Sequence, residues 1–104
     1  MSLSEVRAEI DRLDDQIVAL LALRQEQVRR AAAFKKDAAE VAAPDRRARM
    51  MVRLRERATA EGVAPELVDR VWTTMIDAFI ELELREHESQ VGGPPGASGS
   101  RPVP

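Results

Sequence analysis

Three cations interrupt a stretch that otherwise reads as one apolar seam. From Val6 to Lys35 the chain runs VRAEIDRLDDQIVALLALRQEQVRRAAAFK, with no Gly or Pro. Leu3, Ile10 and Ile17 recur every seven residues, and the next member of that series is Arg24. A second series, Leu21 and Val28, ends at Lys35 and, counted backwards, begins with Asp14 and Arg7. A cation beside an apolar stripe is costly unless an anion meets it. On one continuous helix Arg24 and Lys35 would share nearly one face, about 16 Å apart along the axis, so side chains leaning together would reach one small anion. Arg7 would lie about 42 Å from Lys35 on the same helix, too far for any small ligand to bridge. Arg7 therefore serves that site only from a second chain running antiparallel. The competing readings are a snorkelling Arg24, or Arg24 paired with a carboxylate such as Glu26, and a solvated Lys35 at a helix end.

Arg46 and Glu83 are candidates of the same kind. Arg46 opens a second helical segment in a basic run with Arg47 and Arg49, and such runs are commonly solvated faces. Glu83 lies one heptad after Ile76 and continues an apolar stripe, so near the end of its segment that exposure is expected. Trp72 and the methionines read as core. The sequence holds no Ser/His/Asp arrangement, no Gly-rich phosphate loop and no carboxylate-rich metal motif. With one His and no Cys, neither a metal nor another cofactor is expected. Separated cations on helices suit a small molecule with more than one carboxylate. Chemistry there would run on electrostatics and positioning, without a covalent intermediate.

The elements that must position these residues are helical. Ser2 and Glu5 have the spacing of a capping box, with Ser4 as an alternative N-cap. The helix they open should continue to about Asp37, roughly 50 Å. Asp37 to Ala43 has weak periodicity and precedes a proline, and reads as a mobile connection. Pro44 suits the first turn of a second helix, faced by Met50, Met51, Leu54 and Ala58 and stopped by Gly62. Pro65 and Glu66 restart a third, with a stripe of Val68, Val71, Trp72, Met75, Ile76, Phe79 and Leu82, fraying near His87 to Gln90. The expected fold is all-α, three helices per chain with one very long N-terminal helix. Residues 1–90 would form the helical domain and residues 91–104 a disordered Gly/Pro/Ser-rich tail.

Composition narrows the function. Of 104 residues, 33% are charged and 3% aromatic, and the formal net charge of −2 argues against coating nucleic acid. No run is apolar and long enough to span a membrane, the N-terminus lacks a leader-like apolar region, and the absence of cysteine suits a cytoplasmic protein. So small a chain cannot cover the stripe of its own long helix, and an intertwined homodimer is expected.

The pattern Arg7-x2-Ile10-Asp11-x-Leu13-Asp14-x2-Ile17-x2-Leu20-x3-Arg24, then Lys35, then Pro44-Asp45-Arg46, resembles the all-helical chorismate mutase family, from about Ser4 to Glu88. The resemblance implies an intertwined dimer with two sites, each built from both chains. It also implies the Claisen rearrangement of chorismate to prephenate. Arg24 and the second chain's copy of Arg7 would hold the two substrate carboxylates. Lys35 would donate to the ether oxygen, Arg46 would shape the site, and Glu83 would stand where relatives present Gln or Glu to the same oxygen. Arg47 replaces a Glu that contacts the ring hydroxyl in many mutases, and Phe79 a Ser found in some. The Phe34-Lys35 pair and the Ala43-Pro44-Asp45-Arg46 turn are closer to relatives acting as isochorismate pyruvate lyases, which carry Gln where Glu83 stands. Aminodeoxychorismate mutases share similar features, and a helical interaction module that kept only the fold is the non-enzymatic alternative.

Overall fold

The computed structural model describes the backbone of residues 1–91 and the side chains of residues 1–86. The tail from Gly92 onward lies outside the described residues. Val91, expected to belong to that tail, is the last residue of a helix. The described elements are all helical: α1 Leu3–Ala32, α2 Ala38–Ala42, α3 Pro44–Glu61 and α4 Pro65–Val91. Three long helices and one short one thus form an all-α chain. It divides into two compact units, Met1–Ala33 and the unit beginning at Phe34.

The first unit is α1. Ser2 is its N-cap, its hydroxyl accepting from the Glu5 N–H at 3.1 Å, while Ser4 lies inside the helix. Arg29 and Arg30 occupy the last turn, where cations meet the negative end of the helix dipole. The apolar stripe is where the heptads place it, but it is open. No residue of α1 is buried, and Ile10, Leu13, Ile17 and Leu20 are 45–64% exposed.

The helix ends before Lys35, contrary to the expected continuation to Asp37. Its C-cap is Ala33, and Asp37 is extended at φ −152° and ψ 178°. Nothing in AAAFKKD forbids helix. What competes is a better use of the following residues. Asp37 caps α2 by accepting from the Glu40 N–H at 3.0 Å, and Val41 is buried to 3% exposure. The expected mobile connection is therefore a helix capped at its start and anchored by a buried side chain.

In the second unit α3 and α4 form an antiparallel hairpin. Gly62 closes α3 at φ 76°, with its N–H on the Thr59 carbonyl and the Val63 N–H on that of Ala58, the paired bonds of a Schellman motif. Two ion pairs cross the hairpin, Arg47 to Asp77 and Arg55 to Asp69, each at 2.7 Å. The members of each pair are equidistant from Gly62, so the turn sets their register. Val41, Met51, Ala58 and Ile76 are buried, and α2 and α3 both pack on α4. The expected fraying near His87 is also corrected: α4 stays helical through His87–Gln90 to Val91, because the first breaker is Gly92.

Candidate active site

Lys35 and Glu83 meet within the second unit. The Lys35 Nζ donates to Glu83 Oε2 at 3.0 Å, with side-chain exposures of 23% and 6%. Glu83 was expected to be exposed near a helix end. It is buried, because α4 runs on past it and it occupies the same face as Ile76, one heptad earlier and also at 6% exposure. A carboxylate so withdrawn from water requires a cation, and Lys35 supplies it. The pair joins residues 48 apart in sequence.

Lys35 reaches Glu83 from the turn between α1 and α2. It is thus not on the helix that carries Arg24, and the helical spacing expected between those two cations does not apply. The backbone around Lys35 is held from the next turn onward. The Lys36 N–H donates to a Glu40 carboxylate oxygen, and the Glu40 N–H donates to Asp37. Asp37-x-x-Glu40 repeats the spacing of Ser2-x-x-Glu5, so a signal for α2 was present in the sequence. Its C-terminal end is tight: Ala43 adopts φ 40° and ψ 62°, serving as both C-cap of α2 and N-cap of α3.

The other candidates fall as follows. Arg46 is exposed in the first turn of α3. Arg47, half-buried, is directed across the hairpin to Asp77 rather than lying in a solvated basic face. Asp77 was missed by sequence reasoning, and its signal was its distance from Gly62 once α3 and α4 are taken as a hairpin. Arg7 and Arg24 belong to the first unit, Arg7 exposed and Arg24 half-buried. They lie 17 residues apart on one helix, about 26 Å along its axis, so one chain's pair cannot grip a single small anion. Glu26 accepts from Arg30 at 3.3 Å.

The part-buried pair offers an ammonium with further donors beside a carboxyl group. Such an arrangement stabilises negative charge developing on a substrate oxygen without covalent chemistry. Among the described residues no cluster of His, Cys, Asp and Glu could hold a metal ion, and no helix is long and apolar enough to cross a membrane.

Residues 6–84, roughly three quarters of the chain, match the family described as chorismate mutase type II. The match spans α1 from Val6 onward, the Lys35 turn, α2, α3 and α4 just past Glu83. No curated protein and no solved structure matches the chain.

Proposed function

The chain belongs to the type II chorismate mutase family, and from that premise we propose that it catalyses the rearrangement of chorismate to prephenate. The observation that carries the reading is the part-buried Lys35–Glu83 pair, which unites the two residues that the family resemblance assigns to the ether oxygen. The reaction is intramolecular: one C–O bond breaks as one C–C bond forms, with no net gain or loss of protons or electrons. The groups required are those that hold the substrate folded and those that meet the charge growing on the departing oxygen. Lys35 donates to that oxygen, Arg24 holds one carboxylate, and Arg46 shapes the pocket. The second carboxylate is held by Arg7 of a second copy, since Arg7 and Arg24 of one chain are too far apart.

On this reading the uncovered stripe of α1 is the dimer seam, and residues 1–90 are the catalytic domain. The protein works in the cytoplasm on a soluble dicarboxylate. The test is disappearance of chorismate with appearance of prephenate from purified protein, run beside isochorismate. Release of pyruvate from isochorismate alone would replace the mutase reading with the lyase one that the Ala43-Pro44-Asp45-Arg46 turn resembles. Turnover of neither substrate would overturn both and favour an interaction module.

A further inference from the structure

We infer that Glu40 is a positioning residue for Lys35, acting through the peptide that follows it. Lys35 must bring a flexible four-carbon side chain to a buried carboxyl group, and it does so from a turn rather than a helix. A lysine on a free turn would have to be ordered each time it acted, at an entropic cost for every backbone residue fixed. Here the next residue is already fixed. The Glu40 carboxylate takes the Lys36 N–H, Asp37 takes the Glu40 N–H, and the helix that carries Glu40 is pinned by buried Val41. The short helix α2 thus clamps the backbone one residue beyond the ammonium bearer. Glu40 is exposed and belongs to none of the core, so its carboxylate has no packing role to explain it. Its bond to the Lys36 N–H is charge-assisted, among the stronger kinds available. The inference rests on the mutase reading of Lys35 only for its catalytic consequence.

Amide hydrogen exchange and steady-state kinetics of the full chain test it with Glu40→Ala, Glu40→Gln, Lys35→Ala and the double variant Glu40→Ala/Lys35→Ala. The Lys36 amide is protected in the unaltered protein and loses protection in Glu40→Ala. In that variant kcat for chorismate falls about tenfold while KM changes less than about twofold, the pattern of a displaced transition-state donor. Glu40→Gln, whose amide oxygen still accepts, restores both protection and kcat. In the Lys35→Ala background, Glu40→Ala costs nothing further. An unchanged kcat in Glu40→Ala despite a deprotected Lys36 amide would overturn the inference. So would a Gln variant as impaired as the Ala one, or additive losses in the double variant.

If the protein turns over no chorismate, the mutase reading fails separately, and urea midpoints decide the positioning role. Glu40→Ala then destabilises the unaltered protein more than it destabilises Lys35→Ala, because only the former has a Lys35–Glu83 pair to weaken. Equal destabilisation would overturn the positioning role itself.

Discussion

Lys35 and Glu83 form the ion pair on which both the fold of the second unit and the proposed chemistry depend. Glu83 is 6% exposed, so removing its cation strands a carboxylate away from water. Because Lys35 keeps 23% exposure, the penalty is below that of a fully buried pair. Lys35→Met should cost about 2 kcal/mol in urea unfolding, and a second change, Glu83→Leu, should recover most of it, since two apolar groups need no partner. In the proposed reaction Glu83 faces the ether oxygen, and Glu83→Gln supplies an amide N–H that can donate to it. Mutase turnover, followed as disappearance of chorismate, should therefore survive Glu83→Gln and fall about a hundredfold in Glu83→Leu. A Leu variant as active as the Gln one would remove Glu83 from the reaction.

At the scale of elements, two left-handed residues end helices among the described residues, and only one of them is glycine. Gly62 at φ 76° has nothing within 4 Å of a β-carbon built on it, so Gly62→Ala is penalised by backbone conformation alone. A loss of about 1 kcal/mol is expected. Ala43 at φ 40° already bears that penalty in the tight passage from α2 to α3. Ala43→Gly should stabilise the chain by about 0.5 kcal/mol, after subtracting the greater freedom of glycine in the unfolded state. Chemical denaturation of both variants at one protein concentration checks the opposite signs together. The hairpin ion pairs belong to register more than to stability, because the Arg55–Asp69 side chains are 46% and 39% exposed and such pairs contribute little.

For the whole molecule the decisive feature is a 30-residue helix with no buried residue. Leu3, Ile10, Leu13, Ile17 and Leu20 are each exposed by 45% or more, an apolar stripe along most of its length. In the proposed dimer, pairing with a second copy would remove that stripe from water at about 25 cal/mol per Å2, and the unfolding midpoint should then rise with protein concentration. The proposed shared site gives a sharper expectation. Arg7→Ala and Arg24→Ala chains, each inactive alone, should recover activity when mixed, since one heterodimer regains one intact site. No recovery in mixtures shown by mass spectrometry to contain the heterodimer would exclude a site shared between chains.

The sequence by itself determined the all-α class, the start of α1 at Ser2, the Pro44 and Pro65 starts, the Gly62 stop and the family. These rest on short-range rules, in which a cap, a breaker or a seven-residue period acts within a few residues. It also singled out Lys35 and Glu83 as charges lying where apolar side chains were expected. The family resemblance assigned both to one substrate oxygen, but only the tertiary structure decided that they bond to each other, since their contact spans 48 residues and depends on how the second unit folds. The same holds for the end of α1 and for α2. The run from Ala31 to Ala43 contains no breaker, and its division into turn and helix follows from the burial of Val41. Where local preference is nearly neutral, packing chose the conformation, and that choice took Lys35 out of the long helix and placed it beside Glu83.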